Sequence, residues 1–393
     1  MKQLFKVPFS SRSHYYTNSE IKRVTSVMKN AETLTQGKYL KKFEKDFNLY
    51  ISGKYCFGVN SATSALEICA QMCLLKKNDE VIVPSHTYTS SAYPFIKQGA
   101  KIVWCDIDLE TRVISANTIE KCITKKTKVI VIPHLYGFCA DMLKIMRLAK
   151  KYALLVVEDT AQAIGTEIKT KKAGTFGDFG VFSFHSHKNI STLGEGGMLH
   201  VKNKKYADII PLLRHNGHVN YNYDRNEYWK PAMGNLDIPI INGKYLIPNN
   251  FCIGEVECAL GSELIKRVDK MNLLKRNRAS YFIDRLKKYQ NLIFHKEKTN
   301  RHNYHLLAAC DAGGKRDKFI SEMANIEKIQ CVVQYMPLNR YPLYKKLGFG
   351  KSNCPNADYF FDNMISFPFQ STLSNSQFEM ILDSTIKVLK RIY

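Results

Sequence analysis

Between residues 56 and 201 the chain alternates short, wholly apolar runs with longer segments whose apolar residues fall at helical spacing. That alternation is what a mostly parallel sheet requires. Parallel strands are covered by helices on both faces, so they read as continuous apolar runs, and the crossover between two of them is usually helical. Strands are expected at Cys56–Val59, Val81–Val83, Lys101–Cys105, Val129–Ile132, Leu154–Val157, Gly180–Phe184 and Met198–Val201. Leu66, Ile68, Cys69, Met72 and Cys73 place one helix within Ser64–Leu75, and Met142, Ile145, Met146 and Leu148 place another within Met142–Tyr152. The fold class is α/β.

The pattern breaks at about residues 216–250, a polar stretch rich in tyrosine and asparagine and interrupted by Pro231, Pro239 and Pro248. It reads as a long, lid-like excursion. Helical periodicity resumes from Ile253 to Tyr289, followed by short strand-like pieces and an amphipathic helix near Gln377–Ile392. The simplest division is a large domain over 1–250 and a smaller α+β domain over 251–393.

The formal charge of +23, from 58 Lys plus Arg against 35 Asp plus Glu, would suit a polyanionic partner. The basic residues are nevertheless dispersed as pairs such as Lys41-Lys42 and Lys125-Lys126, as on a solvated surface, so neither a nucleic-acid nor a membrane partner is expected. The eleven cysteines show no spacing of a zinc site, and no metal is expected. Free thiols fit a reducing compartment. No signal-peptide core or membrane-length apolar run occurs, and a cytoplasmic location is expected.

Within this frame, Ser183 to Gly197 carries one lysine, Lys188, between an apolar strand and a glycine-rich turn. Imine chemistry needs a neutral amine, and burial lowers a lysine pKa from its model value of about 10.4. Asp159 follows the strand Leu154–Val157, at the sheet edge where α/β proteins bind ligands. An acid there can pair with a pyridinium nitrogen or cap a helix. Gln162 can hydrogen-bond a phenolic oxygen of the same ring or complete a capping box. Asn60 to Leu66 leaves a strand and opens a helix, so that its helix-start amides can face an anion, while Ser183 can add a hydroxyl. Tyr88 can stack on a planar ring or fill the core. A lysine, an acid, a phosphate cradle and a stacking group are the four parts of a pyridoxal 5'-phosphate site.

These residues lie within a longer series that resembles the DegT/DnrJ/EryC1/StrS sugar aminotransferases, which are fold type I pyridoxal phosphate enzymes. The series comprises Leu34 to Gly37 with Phe43-Glu44, Asn60 to Leu66, Asp79 to Pro84, Gly99-Ala100 to Asp108, His134 to Gly137 with Asp141-Met142, Glu158 to Gly165, Gly174 to Asp178 and Ser183 to Gly197. The resemblance implies that Lys188 is the Schiff-base lysine and that Asp159 pairs with the pyridinium nitrogen. It implies that Gln162 meets the phenolic oxygen, that Ala62, Thr63 and Ser183 hold the phosphate, and that Tyr88 stacks on the ring. It further implies a homodimer with shared sites, in which Asn250 reaches the partner's phosphate. Cys252 stands where many members have arginine, Val333-Gln334-Tyr335 replaces a common His-Tyr pair, and Ala62 stands where glycine is usual.

The implied reaction moves an amino group from L-glutamate to a nucleotide-linked keto sugar, for example a 4-keto-6-deoxy or 3-keto sugar, in the making of an amino sugar for a surface polysaccharide or glycan. Lys188 acts first as nucleophile and then as general base. His185, Arg214 and Trp229 are candidate substrate contacts, as are Arg225 and Lys230. A related sugar dehydratase carries histidine at the lysine position, and His185 and His187 are out of register with it. A basic DNA-binding regulator would need a helix-turn-helix or a basic helix, and none is recognisable.

Overall fold

The computed structural model describes residues 4–10, 12–219, 235–296 and 301–393. All seven expected strands form, each within two residues of its expected bounds: β1 (Tyr55–Val59), β2 (Glu80–Pro84), β3 (Lys101–Cys105), β4 (Thr127–Pro133), β5 (Leu155–Asp159), β6 (Phe179–Ser183) and β7 (Gly197–Val201). They make one sheet in the order β1-β7-β6-β5-β4-β2-β3. Strand β7 runs antiparallel to both neighbours, and the remaining pairings are parallel. Six strands therefore bring their carboxyl ends to one edge. The central strands are buried on both faces, with Val129, Ile130, Val131 and Ile132 of β4 all at 0 % exposure, which is why they read as unbroken apolar runs.

Helix α1 (Asn18–Asn30) lies against the later helix Glu255–Ile265, whereas α2 (Lys38–Ile51), α3 (Ala62–Met72) and α4 (Met142–Lys151) pack against strands of the sheet. Helix α2 buries Leu40, Phe43, Phe47 and Ile51, a single stripe. Phe47 meets the edge of Phe182 at 4.8 Å between centroids, and Phe43 tilts against Phe184 at 5.3 Å, so α2 sits over the end of β6. The helical stretch expected from Ile253 to Tyr289 is two helices, α5 (Glu255–Ile265) and α6 (Val268–Leu286). Arg267 occupies the break with φ −118° and ψ 2°, and its Nε lies 2.6 Å from Glu20.

Helix α5 docks on α2 through a buried carboxylate: Glu255 accepts from the amides of Gly37, Tyr39 and Leu40 at 2.9, 2.7 and 3.1 Å. Those amides belong to the first turn of α2, whose N-terminus has no side-chain cap of its own. A second, antiparallel sheet follows, of β8 (Leu292–Phe294), β9 (Leu307–Asp311) and β10 (Met364–Phe367). It is closed by α7 (Asn375–Ile392), whose start carries a Ser374/Gln377 capping box. The N-terminal arm runs back over this region, with Val7 bridging to Ile329 and the Ser371 amide donating to Ser13 O at 3.1 Å. Within the excursion, His218–Val219 pairs with Asn235–Leu236 and Ile240–Ile241 pairs with Lys244–Tyr245.

Candidate active site

A cavity of about 490 Å³ opens at the carboxyl edge of the main sheet, lined by the starts and ends of elements that lie far apart in sequence. Asp159 ends β5 there, in register with Pro133 of β4 and Val181 of β6. Its carboxylate is held on both oxygens. Ser91 Oγ donates to Oδ2 at 2.7 Å and the Ala161 amide donates to Oδ1 at 3.1 Å. The segment after Asp159 is a turn and no helix begins there, so the helix-capping alternative falls away. Behind it, Glu158 is fully buried and accepts from Gly174, Phe176 and Gly177 amides at 2.9, 2.6 and 2.6 Å, and it pairs with His134 Nε2 at 3.0 Å. Burial alone would raise that carboxyl, but the His134 bond and the amides outweigh it and hold its pKa below the ordinary value.

Lys188 lies in the loop between β6 and β7. The loop closes on itself through Phe184 N to Gly196 O at 2.8 Å, Ser186 N to Gly194 O at 2.9 Å and Thr192 N to Phe184 O at 3.0 Å. It is pinned from outside as well. Ser13 Oγ donates to Lys188 O, His14 Nε2 accepts from Ser191 N at 2.9 Å, and buried Asn189 donates to Asn272 of α6 at 2.8 Å. Burial pushes the Lys188 amine down to about 8, against the opposing pull of Asp159 and Glu195. A larger neutral fraction at physiological pH is what a nucleophilic amine needs.

Ala62 and Thr63 open α3, where Ser61 Oγ caps the Ser64 amide at 3.1 Å. The Ala62 and Thr63 amides are then among the first-turn donors that a helix cannot satisfy internally, and they border the cavity. Strand β7 passes so close that a Cβ on Gly197 would lie 2.5 Å from Ser61 C and 2.7 Å from Ala62 N, so only glycine permits this approach. Ser183, at the end of β6, lines the same wall and accepts from the His185 amide at 3.3 Å. Gln162 Oε1 accepts from Tyr136 N at 2.8 Å and Nε2 donates to Tyr335 OH at 3.0 Å, which fixes the amide at the cavity wall. Tyr88 is 55 % exposed at the rim and meets Tyr335 edge-on at 6.3 Å.

Of the expected residues, Ala62, Thr63, Tyr88, Asp159, Gln162, Ser183, His185 and Lys188 share this one cavity. His185 Nε2 lies 3.6 Å from Glu195. Asn250 is exposed, bridges to His215 and does not line its own chain's cavity. The expectation that Arg214 meets substrate is corrected. Its guanidinium is buried at 5 % exposure, donating to Glu44 at 2.6 Å and to Gly58 O at 2.7 Å, so it ties α2 to β1 and is spent on structure. Trp229, Arg225 and Lys230 lie outside the described residues.

Sequence reading missed Ser90 and Ser91, which bond Thr63 and Asp159, and the part played by Tyr335 beside Gln162. A run of small hydroxyl residues directly after Tyr88, just beyond a strand end, was the available signal for the serines. Among the described residues no cluster of His, Cys, Asp or Glu could hold a metal, and no helix is long and apolar enough to cross a membrane. The donor set fits pyridoxal phosphate: an acid for the ring nitrogen, a depressed lysine for the carbonyl carbon, and a glycine-permitted approach of β7 to free helix-start amides for the phosphate.

The model of the DegT/DnrJ/EryC1/StrS aminotransferase family matches residues 14–385. The chain is 29 % identical over 381 residues to the UDP-4-amino-4,6-dideoxy-N-acetyl-beta-L-altrosamine transaminase of Campylobacter jejuni, covering 95 % of this chain and 96 % of that one. Its fold superposes on Helicobacter pylori PseC, an aminotransferase involved in the biosynthesis of pseudoaminic acid, with a TM-score of 0.88 and 25 % identity, covering 98 % and 100 % of the two chains. A sugar aminotransferase homologue described as putative, Spr1654 of Streptococcus pneumoniae in its PMP form, superposes with a TM-score of 0.83 and 27 % identity, covering 99 % and 100 %. With a fold type I architecture, a lysine and an aspartate lining one cavity at the sheet's carboxyl edge and a family match over nearly its whole length, this chain belongs to the DegT/DnrJ/EryC1/StrS aminotransferase family.

Proposed function

We propose that this enzyme transfers the amino group of L-glutamate to a nucleotide-linked keto sugar, acting as a homodimer in amino-sugar biosynthesis. The observation that carries the reading is the convergence of Lys188, Asp159 and the start of α3 on one cavity. The transaminase name of the Campylobacter relative supports a nucleotide-linked sugar as acceptor. The dispersed positive charge suits its diphosphate.

When bound, pyridoxal phosphate supplies an electron sink that stabilises negative charge at the donor's alpha carbon. Asp159 keeps the ring nitrogen protonated, and the bonds from Ser91 and Ala161 hold its carboxylate in place for that task. With the cofactor in place, Lys188 would take the alpha proton of the bound amino donor and hold it for return. Its amine must be neutral to accept a proton, and burial favours that state. With a keto sugar bound, Lys188 would deliver a proton to the sugar carbon that receives the nitrogen. Gln162 and Tyr335 hold one wall rigid, and Ala62, Thr63 and Ser183 anchor the phosphate, so the reacting atoms keep one geometry through both halves.

The test is spectroscopic. Purified protein should be yellow, lose the band on addition of L-glutamate with release of 2-oxoglutarate, and regain it with a nucleotide keto sugar. A panel of such sugars identifies the acceptor. A sugar product that has lost oxygen and gained no nitrogen would point instead to a dehydratase and would overturn the transfer reading.

A further inference from the structure

A second cavity, of about 190 Å³, shares Lys188, His187, Gln334 and Tyr335 with the first and extends toward α6 and the N-terminal arm. Its lining contains two lysines and two histidines and no acid. Lys275 of α6 is 5 % exposed within it, which is rare for a lysine without a counter-charge. Its Nζ donates to the carbonyl of His305 at 2.7 Å and lies 5.3 Å from the centroid of Phe369. No carboxylate pairs with it among the described residues. Burial accordingly pushes the amine down to about 7. Gln334 lines both cavities, and its side-chain Nε2 is a hydrogen-bond donor. A buried lysine without a counter-charge and an amide N–H donor bordering one small, acid-free space can both be satisfied by an anion.

The two volumes divide the substrates. A nucleotide-linked sugar needs a pocket of several hundred Å³, which the larger cavity provides and the smaller one does not. From this we infer that the smaller cavity receives a carboxylate of the amino donor, with Lys275 as its counter-ion and Gln334 as a second donor. The inference rests on the amino-transfer reading, and it assigns Lys275 a role that no motif in the sequence marked. The donor's amine then lies on the Lys188 side, where the two cavities join, while its carboxylate lies on the α6 side.

The inference is tested on the holoenzyme by titrating the cofactor band with L-glutamate and, separately, with L-2-aminobutyrate, which lacks the distal carboxylate. Losing one charge-assisted hydrogen bond in Lys275→Met should raise the half-saturating L-glutamate concentration about 10- to 100-fold, with the starting spectrum unchanged. Gln334→Leu should raise it in the same direction. If L-2-aminobutyrate titrations are unaffected by Lys275→Met, the bound group is the distal carboxylate; if both shift, it is the alpha carboxylate. Wild-type bleaching with Lys275→Met and Gln334→Leu both within about twofold of wild type overturns the inference alone. A wild-type band indifferent to every amino acid overturns the amino-transfer reading and this inference with it. Should Lys275→Met fail to hold cofactor, Gln334→Leu decides.

Discussion

Lys188 illustrates how little a single residue declares about itself. Among 58 basic side chains it is one more lysine, and only its burial, which outweighs the raising effect of Asp159 and Glu195, gives it a depressed pKa. Lys188→Ala should abolish the visible cofactor band and lower turnover by about three orders of magnitude or more, the scale of losing a nucleophile and base together. Unimpaired transfer in that variant would remove Lys188 from the mechanism. A pH dependence follows from the same burial. Only the neutral amine attacks the cofactor's aldehyde, and the amine loses its proton near pH 8. Cofactor uptake by stripped protein should therefore accelerate as pH rises through about 8 and level off above it, which stopped-flow absorbance can follow. An uptake rate that is flat between pH 7 and 9 would contradict this assignment.

At the scale of elements, the strands were legible and several helices were not. Each central strand is buried on both faces, so its apolar run is unbroken and needs no periodicity to be seen. Helix α2 buries only Leu40, Phe43, Phe47 and Ile51 among lysines and polar residues, a stripe whose signal appears only when positions are counted at helical spacing. The break between α5 and α6 was invisible because Arg267 is an ordinary helix former and nothing in the local sequence interrupts the helical pattern. The same holds for Glu158. Beside Asp159 it looked like part of the catalytic motif, and in the structure it organises the loop 174–177 from beneath. Glu158→Gln keeps the shape and removes the charge from these bonds, and should cost about 1.5–3 kcal/mol of stability measured by denaturant unfolding. Because the folded-state carboxyl is depressed below 4.5, this contribution is present above about that pH and disappears as pH falls through the folded value. In Glu158→Gln the acid-induced loss of stability should accordingly be smaller than in wild type.

For the whole molecule, what the sequence showed was the half of the site that one strand edge supplies. Lys188, Asp159, Gln162 and the start of α3 follow strands directly, and their positions are set by the sheet. Lys275 and Tyr335 come from the C-terminal part, where only tertiary packing brings them to the cavities, and no local pattern could have placed them. Asn250 belongs to a third class, because it is exposed and does not line the Lys188 cavity of its own chain. If the homodimer is as we propose, it completes the phosphate cradle of the partner, and this has a consequence that single-site variants cannot imitate. Lys188→Ala and Asn250→Asp homodimers should each be impaired, the first in chemistry and the second by setting a carboxylate against the phosphate. A mixed dimer pairs one native lysine with one native asparagine in the same site. Random mixing of equal amounts should restore about a quarter of wild-type activity, since half the dimers are mixed and each has one complete site. Activity that stays at the sum of the two separate homodimers would place Asn250 outside a shared site, whereas recovery that follows subunit exchange would fix the active unit as the dimer.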